Sequence, residues 1–241
     1  TRPRFAVASR TSQVASALPN ASLPAGPFAS GSVRPRFALE LYAGTARTTG
    51  SLHEAGLAVG PAFELSNGEV FDLHEPKVLA VVLRWIFTGL VWYVHLGTPC
   101  TPWSVATPSP EKHADLASRS LKVTCMVIRA CHRMGIYWTL ENPWSSDLFG
   151  CHAMQRIRSL TRALLIRIDM CRFGAPFRKA TGFLGSLPDL GLLGLRCQGG
   201  HTHERLAGRV KVQGVWHWRT SLASPYVPTF CRRLAQIASL S

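Results

Sequence analysis

The chain has 241 residues, which is long enough to bury a full hydrophobic core and predicts one domain with ragged ends. Its formal net charge of +14, from 27 Lys+Arg against 13 Asp+Glu, favours an anionic partner such as nucleic acid, although an arginine-rich genome would give the same excess. Its seven cysteines are odd in number and scattered, which argues against a disulfide framework and indicates reduced thiols in an intracellular protein.

The first 36 residues carry five arginines and no acidic residue among serine, alanine and proline. Because such a composition cannot bury enough apolar surface to hold a fold, residues 1–36 are predicted to be a disordered basic arm or linker. The missing initial methionine favours a linker within a longer polypeptide, and an arginine- and serine-rich transit peptide is the alternative.

Beyond this arm, apolar patterning predicts strands and helices that alternate along the chain. Predicted strands cover residues 37–41, 57–65, 70–73, 91–96, 136–140 and 163–170, and predicted helices cover 51–56, 75–87, 112–134, 152–160 and 229–238. This alternation predicts an α/β fold, with a doubly wound, mostly parallel sheet in a single domain. The domain is predicted over residues 37–190, followed by a short C-terminal segment over 191–241.

Residues 78–96 are apolar enough to suggest a membrane-spanning helix. Arg84 near the middle of this segment, together with Gly89 and His95, argues against that interpretation, because a charge at mid-bilayer costs a few kcal/mol. A helix, a turn and a buried strand explain the segment better, and no membrane partner is predicted.

Two features near the start of the predicted domain form a pattern that can hold an adenosine. Ala43-Gly44-Thr45-Ala46 is a small-residue turn between a strand and a helix, where the backbone can approach a ligand closely. Glu64, at the end of the next strand, offers a carboxylate to ribose hydroxyls. Each feature is also common on ordinary protein surfaces.

A single thiol follows the 91–96 strand on a stiff loop, G-T-P-C-T-P-W-S. Pro99 and Pro102 flank Cys100, and the turn-forming and hydroxyl neighbours predict a partly exposed, reactive thiol rather than a core residue. Glu141 follows the next predicted strand, and Pro143 fixes the turn after it. An acid in this place is a candidate proton donor beside the thiol.

The C-terminal segment carries two further candidate sites. Cys197, His201 and His203 fall within one glycine-rich turn and could bind zinc with Cys171 or Cys231, but the spacing is not that of a regular finger. The sequence therefore assigns no metal site, and a solvated or DNA-facing loop explains the pattern equally well. The aromatic and basic run 211–219 suits stacking on bases, with an edge strand of the core as the alternative.

Six features follow one another along the chain: L-E-L-Y-A-G-T-A, Glu64, Asp72, G-T-P-C-T-P-W-S, E-N-P and F-G-A-P-F-R-K-A-T-G-F. In this order they resemble the motifs of the S-adenosylmethionine-dependent DNA cytosine-5 methyltransferases. That family has F-A-G-x-G, a ribose acid, an adenine-contacting Asp, a P-C loop, E-N-V and Y-G-V-P-Q-x-R-x-R in this order. The resemblance spans about residues 37–184. It is strongest to short, divergent proteins of phages and mobile elements, which share the C-x-G-G-H-x-H stretch.

The resemblance implies a Rossmann-like methyltransferase fold and a mechanism. Cys100 would add to C6 of a cytosine, Glu141 would protonate or hydrogen-bond N3, and Lys179 would stand in place of a family arginine. S-adenosylmethionine would be held by residues of the turn, the two acids and the thiol loop: Tyr42, Gly44, Thr45, Glu64, Asp72 and Pro99. The partner would be DNA, with the cytosine flipped out or presented single-stranded, in a nucleus or a host cytoplasm.

Three departures from the family pattern bear on this interpretation. Ala46 replaces a glycine of the cofactor turn, and the second family arginine falls on Thr181, with Arg178 as a candidate substitute. Too few residues follow Phe183 for the usual target-recognition domain, so no target sequence is predicted. The alternatives are a catalytically inactive nucleic-acid-binding module of a mobile element, a different methyltransferase and another nucleotide-binding enzyme.

Overall fold

The structure is a computed structural model that describes residues 36–104 and 110–241. The basic arm predicted over residues 1–36 therefore lies outside the described residues, except for Arg36, whose guanidinium donates to the carbonyl of Val91 at 3.1 Å. No helix in the described ranges has both the length and the apolarity that a membrane span requires.

Between residues 76 and 169 the described chain alternates between helices and strands, as its apolar patterning predicts. The strands are β1 (Phe37–Leu41), β2 (Val91–Leu96), β3 (Tyr137–Pro143), β4 (Leu164–Asp169), β5 (Ala180–Gly185), β6 (Arg209–Val212) and β7 (Val215–Trp218). The helices are α1 (Arg47–Glu54), α2 (Pro76–Phe87), α3 (Ala114–Arg133), α4 (His152–Thr161), α5 (Arg219–Leu222) and α6 (Pro228–Ser239).

Five of these strands form one twisted sheet in the order β1-β2-β3-β5-β4. β1, β2 and β3 pair in parallel, and β5 runs antiparallel between β3 and β4. Four of the five strands therefore point the same way, with only β5 reversed. The predicted α/β fold with a mostly parallel sheet is confirmed.

Helices cover both faces of this sheet, because alternate strand residues are apolar on both sides. Val82 of α2, Ile128 of α3 and Ile157 of α4 belong to the core on one face. Leu52 of α1 and Leu234 of α6 belong to the core on the other. The sheet is therefore doubly wound, and the C-terminal helix α6 contributes to its core.

Two predicted strands differ in the structure. Residues 57–65 meet β1 only through isolated bridges at Val59 and Phe63, since Pro61 between them has no N–H to donate to a ladder. Residues 69–71 form a single 3₁₀ turn that begins after Gly68, whose φ is 124°. Leu73 is buried in the core without pairing with a strand of the sheet.

The antiparallel strand β5 is the main element that the sequence prediction misses. Its two glycines are typical of a loop sequence. In the structure, however, a Cβ at Gly185 would lie 2.6 Å from the backbone oxygen of Trp138, so glycine at this position allows β5 to approach β3. Because β5 pairs with the end of β3, residues 141–143 are strand residues and not the loop that was predicted. The side chain of Glu141 is therefore held by a sheet.

The aromatic and basic run 211–219 folds into a hairpin of β6 and β7, apart from the main sheet. Trp216 and Trp218 are 63% and 55% exposed, so this run is not an edge strand of the core. Its predicted stacking on bases stays a prediction.

The residues that end β1, β2 and β3 lie at one edge of the sheet. Leu41 pairs with Leu96, and Leu96 pairs with Leu140, so the residues that follow all three strands emerge side by side. The backbone N–H of Gly97 donates to the Leu41 carbonyl at 2.9 Å, and a Cβ at Gly97 would lie 2.6 Å from the Tyr42 carbonyl oxygen. Gly97 thus brings the thiol loop against the turn that follows β1.

Gly97→Ala is therefore expected to lower the free energy of unfolding by about 1–3 kcal/mol, because the new methyl group forces two backbones apart. Urea denaturation measures this loss. Gly50→Ala in α1 is the matched control: a Cβ there meets no atom within 4 Å, and the helix should gain up to about 1 kcal/mol. Equal stabilities for Gly97→Ala and the wild type would contradict the close approach.

Candidate functional site

A cavity of about 600 Å³ opens at the edge where β1, β2 and β3 end. All nine residues predicted for catalysis and cofactor binding line it: Tyr42, Gly44, Thr45, Glu64, Asp72, Pro99, Cys100, Glu141 and Lys179. They come from six separate stretches of the chain, and the fold brings them together. Their roles stay predictions.

One end of the cavity is the turn that follows β1. Tyr42, Gly44 and Ala46 all have left-handed backbone conformations, with φ of 55°, 54° and 53°. The Gly44 N–H donates to Oε2 of Glu64 at 2.8 Å, which holds the carboxylate at the turn. Gly44 has open space where a Cβ would be, so a ligand can approach the backbone there.

Beside this turn, Asp72 and Tyr42 both contact His74, a residue that sequence reasoning missed. The His74 N–H donates to Oδ1 of Asp72 at 2.9 Å, and the phenol of Tyr42 lies 3.4 Å from Nε2 of His74. Burial lowers the pKa of His74, with Asp72 opposing, so the imidazole favours its neutral form. The only signal in the sequence was a histidine two residues after the predicted acid.

The thiol loop is fixed by side chains from two neighbouring elements. Asn142 of β3 donates through Nδ2 to the Thr98 carbonyl at 2.7 Å, and the Thr98 hydroxyl lies 2.8 Å from that of Thr124 in α3. Asn142 and Thr98 are buried. Cys100 follows this anchored segment as an exposed residue at the cavity, as a nucleophile requires.

Cys100 and Glu141 both lie close enough to Lys179 for its charge to affect their pKa values. Desolvation by the cavity walls raises the pKa of Cys100, Glu141 raises it further, and Lys179 lowers it. Desolvation also raises the pKa of Glu141, while Lys179 and a hydrogen bond from Tyr226 lower it. The lysine thus favours the charged form of both groups, whereas the cavity favours the neutral form.

Glu141 is at one end of a chain of hydrogen-bonded side chains that links Tyr226 to strands β2 and β3. The Tyr226 hydroxyl donates to Oε2 of Glu141 at 3.2 Å and lies 3.1 Å from Nε2 of His95. Nδ1 of His95 lies 2.8 Å from the Thr139 hydroxyl, which lies 2.6 Å from that of Tyr93. Burial lowers the pKa of His95 to about 3, so the ring is neutral and can donate from Nε2 to Tyr226.

Lys179 reaches the cavity from the segment before β5. Its ammonium donates to the carbonyls of Ala223 and Ser224 at 2.9 and 3.3 Å. Arg178, the candidate substitute cation, instead pairs with Asp169 at 3.4 Å and is not among the residues that line the cavity. Thr181, which replaces the second family arginine, is fully buried and donates to the Lys179 carbonyl. The described residues thus present one of these candidate cations, Lys179, to the cavity.

These opposing effects predict how fast Cys100 is alkylated at each pH. Glu141→Gln removes a negative charge that raises the thiol pKa, so the alkylation profile should move to lower pH. Lys179→Met removes the positive charge that lowers this pKa, so the profile should move to higher pH. Iodoacetamide labelling, read at the Cys100 peptide by mass spectrometry, measures both shifts. Identical profiles for the two variants would contradict the proximity of the three groups.

The zinc candidates of the C-terminal segment lie together as well. Sγ of Cys197 is 3.8 Å from Nε2 of His201 and 3.6 Å from Nε2 of His203. Cys171 joins this cluster. Cys231, the other candidate for a fourth zinc ligand, is instead a residue of α6 and is buried in the core.

Comparisons with known proteins add little to this geometry. No protein-family model matches the chain, and no curated protein matches its sequence. A solved structure of the Entamoeba histolytica methyltransferase EhMeth is similar in backbone, with a TM-score of 0.41 and 14% identity. The match covers 64% of this chain and 53% of that one, so the chain spans about half the length of that protein. Because this degree of similarity does not define a function, the function is inferred from the site's own residues.

Proposed function

We propose that this protein is an S-adenosylmethionine-dependent DNA cytosine-5 methyltransferase. The observation that carries the proposal is the single cavity that joins an adenosine-type turn with Glu64 to an exposed thiol with Glu141 and Lys179. An adenosine site alone would fit many enzymes. A nucleophilic thiol and a carboxyl with raised pKa at the same cavity favour covalent chemistry on a base.

The residues of the turn suit S-adenosylmethionine. Glu64 and Asp72 offer carboxylate oxygens to ribose hydroxyls and to an adenine amino group, and the open backbone at Gly44 admits a close ligand. The cavity volume of about 600 Å³ is that of a small-molecule site. When bound, S-adenosylmethionine supplies the methyl group that is transferred to C5.

Cys100 reacts as the thiolate after its proton leaves to solvent. Desolvation and Glu141 raise the pKa of the thiol, and the positive charge of Lys179 opposes this shift and favours the thiolate. Its sulfur forms a bond to C6 of the cytosine, and the electron pair of the C5–C6 double bond makes C5 nucleophilic. Glu141 gives its proton to N3, which neutralises the charge that develops on the ring. Once C5 carries the methyl group, a solvent water takes the C5 proton, which restores the C5–C6 double bond and expels the Cys100 thiolate, and N3 returns its proton to Glu141.

Glu141 is suited to hold that proton. Desolvation raises its pKa, so the carboxyl stays protonated at a higher pH than an exposed glutamate. The Tyr226 hydroxyl fixes Oε2 through its hydrogen bond. In this arrangement Tyr226 is a positioning residue for the proton donor.

DNA is the proposed partner. The chain's net charge of +14 complements phosphate. Trp216 and Trp218 are exposed and pair across the hairpin with Lys211 and Arg209, and the Arg209 guanidinium lies over the Trp218 ring, 4.4 Å from its centroid. Because C6 cannot be reached in a stacked duplex, the cytosine must be flipped out or single-stranded. The same hairpin and charge would remain in an inactive nucleic-acid-binding module, which is the alternative that an activity assay distinguishes.

The proposal is tested with the purified chain, S-adenosylmethionine carrying a labelled methyl group, and cytosine-containing DNA. The expected result is label at C5 of cytosine, together with saturable S-adenosylmethionine binding by calorimetry. Cys151→Ser, which changes a thiol outside the cavity, should methylate like the wild type. DNA binding without cofactor binding or methyl transfer would favour the inactive module.

Glu64→Gln is expected to weaken S-adenosylmethionine binding by about 10-fold, since a charge-assisted hydrogen bond to the ribose is replaced by a neutral one. Calorimetric titration of the variant measures the change in Kd. Glu69→Gln is the matched control, because its exposed carboxylate is not among the cavity's lining residues. The same loss in both variants would show that Glu64 has no specific role.

A further inference from the structure

A cluster of four metal-ligand side chains lies outside the cavity described above. Cys171 belongs to the 3₁₀ turn Met170–Phe173 directly after β4, and Cys197, His201 and His203 come from one later loop. One ligand atom of each residue lies within 4.8 Å of every other. Two stretches that are distant in the sequence, the turn at Cys171 and the loop from Cys197 to His203, therefore bring their thiols and imidazoles close together.

Two distances within the cluster, both from Cys197, match those of a tetrahedral metal site. With a Zn–S bond of about 2.3 Å and a Zn–N bond of about 2.0 Å, tetrahedral geometry places sulfur and nitrogen ligands roughly 3.5 Å apart. Sγ of Cys197 lies 3.6 Å from Nε2 of His203 and 3.8 Å from Nε2 of His201. Both separations are those of ligands that share a zinc ion.

Contacts with Gly199 orient two of the four side chains, His201 and Cys197, for metal binding. The Gly199 carbonyl lies 3.1 Å from Nδ1 of His201 and accepts its proton, which leaves Nε2 free to bind a metal. The Gly199 N–H donates to Sγ of Cys197 at 3.4 Å, and such a bond stabilises a thiolate. Gly199 and Gly200 have φ of 84° and 78°, and this left-handed turn folds the loop back on itself.

We propose that Cys171, Cys197, His201 and His203 bind one zinc ion as a structural site. Four protein ligands fill the tetrahedral coordination of zinc and leave no position for water or substrate, which is the mark of a structural rather than a catalytic site. None of the four residues lines the cavity that carries Cys100. The site is thus an addition to the proposed methyl transfer and does not depend on it.

The zinc ion joins the loop after residue 195 to the segment that carries Lys179. Asp169 accepts from the Cys197 N–H at 2.8 Å and pairs with Arg178 at 3.4 Å. The Glu204 N–H donates to the Pro176 carbonyl at 2.8 Å, and the Met170 N–H donates to the Arg178 carbonyl at 2.7 Å. By this route the metal holds the backbone from which Lys179 reaches the cavity.

The test is the metal content of the full chain purified without chelator. One zinc per chain is expected by mass spectrometry of the metal, and Co²⁺ added to the metal-free protein should give the visible absorption bands of a tetrahedral thiolate site. Cys197→Ser and His203→Gln should lower zinc affinity by more than the roughly 10–100-fold that loss of an outer-shell partner costs. Cys151→Ser and His152→Gln are matched controls outside the cluster and should keep the metal.

A second measurement, on the wild-type protein, tests the proposal even if the variants fail to fold. Removal of zinc from the wild type by a chelator should speed tryptic cleavage after Arg196 and Arg205, and added Zn²⁺ should restore protection. Three results would overturn the proposal: wild-type protein that binds neither Zn²⁺ nor Co²⁺, a Cys171–Cys197 disulfide in place of the metal, and full zinc occupancy in Cys197→Ser.

Discussion

Cys100→Ser is expected to lower methyl transfer by roughly 10⁴-fold or more, because a serine hydroxyl is not ionised at neutral pH and cannot add to C6 as the thiolate does. The side chain is exposed, so the stability of the fold should not change. S-adenosylmethionine should also bind as before, since its proposed polar contacts with Gly44, Glu64 and Asp72 are not changed by the substitution. Single-turnover transfer of labelled methyl to DNA measures the loss.

The matched control for this variant is Cys151→Ser, which removes a partly exposed thiol outside the cavity. If Cys100→Ser retained activity within a few-fold of the wild type, Cys100 would not be the nucleophile. Loss of activity with simultaneous loss of S-adenosylmethionine binding would indicate a collapsed site rather than a missing nucleophile.

Glu141→Gln is expected to lower methyl transfer by about 10²–10⁴-fold, the range typical for removal of a general acid. The amide has nearly the same shape and can still accept the Tyr226 hydrogen bond, but it cannot give a proton to N3. Thiol reactivity should persist and move to lower pH, because one charge that raises the pKa of Cys100 is gone. In this variant the thiol of Cys100 should therefore still react with iodoacetamide although methyl transfer is lost.

Glu54→Gln, at an exposed position in α1, controls for the change of charge and should leave the rate unchanged. A Glu141→Gln enzyme with wild-type rates would assign the protonation of N3 to another group. The measurement is the single-turnover rate at saturating DNA, so that weaker binding does not enter it.

The parallel part of the sheet and the edge that carries the candidate site could be predicted from the sequence. β1 and β2 are short apolar runs that end in glycine- or proline-rich turns, and such runs are typical of buried parallel strands. Because carboxyl ends of parallel strands meet at one edge, the turn at Gly44, the thiol of Cys100 and Glu141 could be expected together. The structure places all three along one cavity.

The reversed strand and the supporting contacts could not be predicted in this way. β5 forms because its backbone can approach β3 closely at Gly185, where a Cβ would collide with the backbone oxygen of Trp138. No local sequence pattern predicts this contact. Tyr226 lies 85 residues from Glu141, and it is the packing of α6 and the segment before it that brings the two together. Nor does the sequence spacing distinguish Cys171 from Cys231 as a partner for Cys197.

The most direct test of the central claim is covalent trapping on DNA that contains 5-fluorocytosine. Fluorine at C5 cannot leave as a proton does, so once the methyl group has been transferred the bond between Cys100 and C6 should persist. The predicted result is a protein–DNA complex stable to denaturation, formed only with S-adenosylmethionine, mapped to the Cys100 peptide and absent from Cys100→Ser. A wild-type protein that binds the cofactor and this DNA but forms no such complex would contradict the proposed mechanism.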